Sequence, residues 1–366
     1  MSGISADWNL AKQDAALLEG LFGPAGGTGV STSWQLARKS RHLLVLAREQ
    51  PGGLAAALRW YRALRPAGRA YRALLTMVSL SPAWRFLPAV DLVAGEDGFV
   101  ARFEAETGRQ VTAMLFGNPV QRHRRVVLRA VMAGEAAWVV KVGFSPEAIE
   151  AIERERDILL EVGRRIPGMY GIVDVRSNGR FSSIATRELA GDPLWDPVAS
   201  TGEAVALLRG WTRFEERREL SSFRVWQRIV GGWAGSSQGL RERVGSVTLA
   251  TAFSHGDFAA WNLLIDPPSG VLSAVDWEWA DPDGVPGWDI VHFFCQDQAM
   301  VHRLEGARLV AATLEALHQE PVRTFLRDCG WPTPELAFAT YASALNPIFS
   351  GPKGESLEAL CSAFWG

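Results

Sequence analysis

The chain has 366 residues and 40.0 kDa, with 48% hydrophobic and 21% charged residues, a composition that excludes intrinsic disorder and can fill a core. Its 38 basic and 40 acidic residues leave a net charge of −2, without the basic excess of a nucleic-acid binder, so nucleic acid is not an expected partner. Cys295, Cys329 and Cys361 show neither a disulfide framework nor metal-ligand spacing, no apolar run approaches the roughly 18 residues of a membrane span, and Met1–Leu10 lacks the basic-then-apolar order of a secretion signal, so the expected location is the cytoplasm.

At roughly 100–200 residues per domain, the length suggests two lobes with an additional segment. Residues 1–95 read as a basic helical extension, broken by glycines over Gly23–Gly29. Within it, Trp34–Val90 carries ten basic residues against one acidic residue, Glu49. Arg59, Arg62, Arg65, Arg69 and Arg72 recur every three or four positions among apolar residues, which describes an amphipathic basic helix or helix pair. Such a surface can make peripheral contact with an anionic membrane through residues 34–90. The preferred alternative is a solvated arginine face over an apolar face docked on the protein.

From about residue 98 the pattern turns to β-type runs at Val111–Phe116, Arg125–Val131 and Ala137–Val142, an antiparallel meander. Pro146 then opens a helix over Glu147–Val162, with Ser145 as its N-cap, and two further β-type runs follow at Gly171–Val175 and Phe181–Thr186. Beyond Gly191-Asp192-Pro193 the chain is mainly helical, at about 201–233, 290–318 and 334–346, around a loop-and-strand region at 252–289.

That last region carries the strongest chemical signal: His255-Gly256-Asp257 through Asn262, then Val275-Asp276-Trp277-Glu278. An Asp and an Asn five apart on one loop can face one reaction centre, the Asp accepting a proton from a substrate hydroxyl and the Asn amide oxygen coordinating a divalent cation. Asp276, on a second hairpin strand, can hold Mg²⁺ against nucleotide phosphates. Chance would supply about 0.004 runs of His-x-Asp-x-x-x-x-Asn in a chain of this composition.

These residues resemble the catalytic and metal-binding loops of the aminoglycoside phosphotransferase and choline kinase group, small-molecule relatives of the protein kinases. The resemblance covers about residues 98–300 and is sharpest at 255–278. It implies an α+β, bilobal protein-kinase-like fold: the helical extension at 1–95, a β-rich nucleotide-binding lobe at 96–187 and a helical catalytic and substrate-binding lobe at 188–366. It implies ATP and Mg²⁺ as cofactors, a small-molecule acceptor with a hydroxyl group as partner, and transfer of the γ-phosphoryl group. Asp257 would be the catalytic base, and Asn262 and Asp276 the metal ligands. His255 would brace the loop. Asp289 resembles the family's buried Asp behind that loop, with a simple N-cap as the competing reading.

Upstream, such a fold needs a lysine for the α- and β-phosphates and a helical glutamate to hold it. Lys141 ends the third β-type run, in a chain with four lysines among 38 basic residues, where a compact ammonium rather than a guanidinium was retained. Glu155 is the expected partner and Glu153 its rival. The stretch Ala185–Leu194 resembles the family's linker, where the backbone of Thr186, Glu188 and Leu189 would meet the adenine. No GxGxxG is present, and the turn Phe116-Gly117-Asn118-Pro119 takes its place. Asp276, Glu278, Asp281, Asp283 and Asp289 could form an acidic cleft for a cationic acceptor, or a solvated Asp-Pro-Asp-Gly turn at 281–284. Several tryptophans, Trp211, Trp226, Trp233, Trp277, Trp279 and Trp288, could stack on an acceptor but serve a core more often. Two alternatives stand beside the kinase: a catalytically silent nucleotide-binding scaffold, and a membrane-surface kinase for a glycan or lipid-linked acceptor.

Overall fold

Alternation decides the first strands: along Val126–Val131 every second side chain is buried, the period of a strand with one face on a core. The computed structural model describes residues 12–24, 29–39, 42–61, 66–117, 124–166, 171–194, 198–232 and 238–344. They fall into two units, one within Met1–Gly163 and Gly168–Glu188, the other within Arg164–Pro167 and Leu189–Gly366. No helix of the described residues is long and apolar enough to cross a membrane.

The first unit contains α1 (Lys12–Phe22), β1 (Gly29–Lys39), β2 (His42–Arg48), α2 (Gly53–Leu58), α3 (Pro66–Leu80), β3 (Ala89–Gly95), α4 (Phe99–Thr107), β4 (Gln110–Phe116), β5 (Val126–Val131), β6 (Trp138–Gly143), α5 (Pro146–Arg165), β7 (Ile172–Ser177) and β8 (Ser182–Arg187). Its strands form one antiparallel sheet of eight, in the order β3-β1-β2-β4-β5-β6-β8-β7. One side of the sheet packs Leu46, Met114, Leu128 and Val140 against Leu18, Leu21, Phe99 and Phe103 of α1 and α4. The other side packs Val45, Ala47 and Ala113 against Leu54, Ala57 and Leu58 of α2.

The helical extension expected over 1–95 is therefore only partly helical. Its strands β1, β2 and β3 join the same sheet as the meander. In β2 the run Leu43–Ala47 is buried throughout, because helices cover both sides of the sheet. A strand buried on both faces has no alternation, and periodicity cannot tell it from a buried helix. The preferred orientation holds only in part, since Arg59 and Arg69 are exposed and Leu54, Leu58 and Leu75 pack on the core, but helix α3 departs from it elsewhere. Its Arg72 and Ser79 turn inward, Nη1 of Arg72 donating to Tyr61 O and Oγ of Ser79 accepting from Ala55 N, while Leu74, Met77 and Leu80 face outward.

The second unit contains β9 (Asp192–Pro193), α6 (Thr201–Trp211), β10 (Thr212–Glu219), α7 (Trp226–Gly232), α8 (Gln238–Gly245), β11 (Thr248–Ser254), β12 (Leu263–Ile265), β13 (Leu272–Ala274), β14 (Asp281–Gly284), α9 (Trp288–Gln296), α10 (Gly306–Leu317), α11 (Glu320–Cys329) and α12 (Pro334–Ala344). Two small sheets, β10-β11-β14 and β13-β12-β9, sit among the helices. The helix expected over 201–233 stops at Trp211, and Thr212–Glu219 pairs with β11 instead, with an irregularity between Arg213 and Arg217. Charged residues tolerate either conformation, and the waiting edge of β11 decides between them. Asp281–Gly284, expected as a turn, pairs with the other edge of β11.

Candidate active site

The second unit builds its site from the end of β11. Beyond Ser254 the chain turns sharply at Gly256, whose φ of 78° is left-handed and where a Cβ would collide with the carbonyl of Trp279, so glycine is required. The turn is held from behind by Asp289, in the first turn of α9. Its Oδ2 accepts from His255 N at 2.7 Å, and its Oδ1 accepts from Gly256 N at 3.0 Å and Ser254 Oγ at 2.9 Å. Asp289 thus ties down the loop and does not cap its own helix, whose N-cap is Gly287.

His255 is fully buried beside Trp211 and Trp277. Its Nδ1 accepts from Asp257 N at 3.3 Å, so the ring proton sits on Nε2 and is donated to Val275 O at 3.0 Å. Burial pushes the imidazole pKa below its ordinary value and keeps the ring neutral, outweighing the nearby carboxylates. The ring joins the Asp257 loop to the strand that delivers Asp276.

Asp257 presents a side chain that is 30% exposed, so a solute can reach it. Asn262 donates through Nδ2 to Asp257 Oδ2 and to Asp257 O, both at 2.9 Å. That use of the nitrogen leaves the amide oxygen as the ligand atom. The other carboxylate oxygen, Oδ1, lies 2.9 Å from His292 Nε2, and His292 Nδ1 lies 2.8 Å from Tyr341 OH. A carboxylate only accepts, so Nε2 carries a hydrogen. Burial holds the Tyr341 phenol well above its ordinary pKa, so it stays protonated. The linked contacts of Tyr341, His292 and Asp257 fix the second oxygen as Asn262 fixes the first. Each oxygen keeps a lone pair for a substrate hydroxyl.

Asp276 follows β13, whose pairing with β12 sets Ala274 opposite Leu263, and Val275 N donates to Asn262 O at 2.9 Å. The hairpin therefore brings Asp276 beside Asn262. Its φ of 70° is unusual for a residue with a Cβ, a conformation that persists where the surroundings impose it. Together Asn262 and Asp276 offer hard oxygen donors and no soft ones, a set suited to Mg²⁺.

In the first unit, Lys141 stands on β6 between Val127 of β5 and Ile184 of β8. Its Nζ meets Glu155 Oε1 of α5 at 2.5 Å, and Arg125 Nη1 meets Glu155 Oε2 at 3.2 Å. Glu155 is buried and is the partner of Lys141, whereas Glu153 is half-buried on another part of the helix. Thr186 shares the face of Lys141, two residues from Ile184 across the β6–β8 ladder. Glu188 donates its N–H to Ala137 O at 2.7 Å and its carboxylate accepts from Arg129 Nε at 2.9 Å. Leu189, half-buried, begins the second unit. Of the turn Phe116–Pro119, residues 118 and 119 lie outside the described residues, as does Trp233.

The acidic cleft is reduced by internal pairing. Asp289 is committed to the loop, Asp283 meets Arg218 Nη2 at 2.5 Å, and Asp281 accepts from Asp283 N at 2.9 Å. Trp211 and Trp277 are core, while Trp279 is 52% exposed. Three residues escaped sequence reasoning: His292, Tyr341 and Arg125. His292 lies one turn after Asp289, a spacing that puts both on one side of α9 and could have been noticed. Tyr341 and Arg125 carry no local signal.

No protein-family model matches the chain, and no curated protein matches it. Among solved structures it is similar to an aminoglycoside phosphotransferase from Streptomyces rimosus, with 15% identity, 69% of this chain and 98% of that chain covered and a TM-score of 0.42. It is also similar to a choline kinase from Streptococcus pneumoniae, with 11% identity, 72% and 94% covered and a TM-score of 0.36, and to an ethanolamine kinase from Plasmodium vivax, with 11% identity, 70% and 81% covered and a TM-score of 0.37.

Proposed function

We propose that the protein is a small-molecule kinase that transfers the γ-phosphoryl group of ATP to a hydroxyl of an aminoglycoside, sugar, choline-like or related acceptor. The observation that carries this reading is the reachable Asp257 carboxylate, gripped by Asn262 and His292 on a loop anchored to Asp289. Those contacts fix where the carboxylate oxygens point. Phosphoryl transfer asks little more, since its loose transition state needs the nucleophile oriented more than deprotonated early.

In this reading the acceptor hydroxyl donates to Asp257, which aligns its oxygen and takes its proton as the new P–O bond forms. Lys141, held by Glu155, supports the α- and β-phosphates, and the adenine meets the linker at the Glu188 carbonyl and the Leu189 backbone, since Glu188 N–H is committed to Ala137 O and Thr186 is paired with strands on both sides. Asn262 and Asp276 would hold Mg²⁺, which when bound neutralises phosphate charge. His255 keeps the loop and the Asp276 strand in register, a brace whose burial favours the neutral ring. The arginine beside Glu155 shares that carboxylate with Lys141 and limits the positions the lysine can take.

The test is a screen of aminoglycosides, sugars, choline analogues and nucleosides for acceptor-dependent release of ADP, repeated with Asp257→Asn. That variant should bind nucleotide normally while turnover falls roughly 10²–10⁴-fold. Turnover equal to wild type would refute the role of Asp257.

A further inference from the structure

Helix α3 exposes a largely apolar flank. Ala67, Ala70, Tyr71, Ala73, Leu74, Met77 and Leu80 are all exposed, at the spacing of a single helical face. The exposure is substantial for the larger ones, 54% for Leu74, 62% for Met77 and 69% for Leu80. The side turned toward α2 carries Leu75, packed on the core with Leu54 and Leu58, together with Arg72 and Ser79, and Ser79 O accepts from Gly52 N at 2.9 Å. Immediately after it, the 3-10 turn Pro82–Phe86 leaves Phe86 88% exposed. An outward apolar strip of this length on a surface helix marks a docking face.

We propose that this face of α3, continued by Phe86, seats the protein on an anionic lipid surface. Charge identifies the occupant. Residues 34–90 hold ten of the chain's 38 basic residues and one of its 40 acidic residues, leaving 28 basic against 39 acidic elsewhere. The positive charge is thus local to the segment that exposes the strip. Arg69 and Arg85 are themselves exposed beside it, and arginine can lay its stem along acyl chains while its guanidinium grips lipid phosphate. A second copy of the chain would bring two such positive faces together and repel. The strip is a convex helix flank rather than a groove, the shape that lies in a lipid interface. A helix of 15 residues spans about 22 Å, enough to lie along the headgroup boundary without crossing the bilayer.

The measurement is co-sedimentation of the full chain with phosphatidylcholine vesicles, with and without phosphatidylglycerol, at low and high salt. Three variants are compared after circular dichroism shows each to be folded: Leu74→Ser with Met77→Ser, Arg69→Glu with Arg85→Glu, and, as a control on an exposed apolar residue of α5, Leu160→Ser. Wild type and the control should bind anionic vesicles at least tenfold more tightly than neutral ones, with about fivefold lost per removed basic charge. The Leu74/Met77 variant should lose at least tenfold, and salt should weaken binding. The proposal is overturned if the chain ignores anionic vesicles, if the two double variants bind as well as wild type, or if the strip instead mediates a dimer that Leu74→Ser with Met77→Ser dissolves. None of these readouts depends on phosphoryl transfer, so the kinase reading and the lipid face can fail separately.

Discussion

Replacing Asp289 with asparagine removes one charge and no volume, and its effect can be worked from three hydrogen bonds. In the favourable amide orientation the remaining oxygen stays at Oδ1 and keeps Ser254 Oγ and Gly256 N, at 2.9 and 3.0 Å. The new NH₂ then faces His255 N, a donor, across the 2.7 Å that Oδ2 had bridged. The opposite orientation is no better, since it sets the NH₂ against Gly256 N and forces the Ser254 hydroxyl to turn and accept. One charge-assisted bond is lost, worth about 1.5–3 kcal/mol, and buried donors are left facing each other at about 1–3 kcal/mol. A cost of about 3 kcal/mol is the expected net, or roughly 150-fold in the opening of the loop. Because the chain has two units, a single unfolding transition is not a sound measure. Native-state hydrogen exchange at the His255 and Gly256 amides is local and direct. Protection there should fall by roughly two orders of magnitude in Asp289→Asn while the strands of the first unit keep theirs. Exchange at these amides within threefold of wild type would show that Asp289 does not anchor the loop.

Other outcomes follow from the same geometry. Lys141→Ala should lower turnover at saturating ATP, and Lys141→Arg should lower it too, since a planar guanidinium cannot replace a point charge against Glu155; wild-type rates in both would remove the lysine from the mechanism. Glu155→Ala leaves Lys141 and Arg125 without their shared carboxylate and should destabilise the first unit by about 3 kcal/mol, read by denaturant melts of that unit's fluorescence. His292→Leu should reduce turnover about tenfold with ATP affinity unchanged, and His292→Gln, which keeps a donor for Asp257, should restore most of it. Burial pushes the Cys295 and Cys329 thiols up to about 12, so a thiol reagent at pH 8 should label at most one of the three cysteines in the folded chain and all three in urea.

Much of this protein is readable before any folding is considered. Strand β5 alternates with period two, and the run from His255 to Asp276 places its polar groups by local spacing, since a loop and a hairpin are short enough for sequence distance to approximate spatial distance. Lys141 stood out by composition, and the helix with Glu155 by its periodic apolar face. Where sequence distance and spatial distance part, the reading stopped. Asp257 and His292 are 35 residues apart, and His292 and Tyr341 are 49 apart, so their chain exists only because α9 and α12 pack together. The choice of Glu155 over Glu153 turns on helix register against a neighbouring strand, which a shift of one residue would rotate by 100°. Among the strands of the first 95 residues, β2 has its pattern erased by burial on both faces. The outward strip of α3 was invisible for a related reason: an amphipathic sequence states that two faces differ, and the packing of the rest of the chain assigns which of them meets solvent.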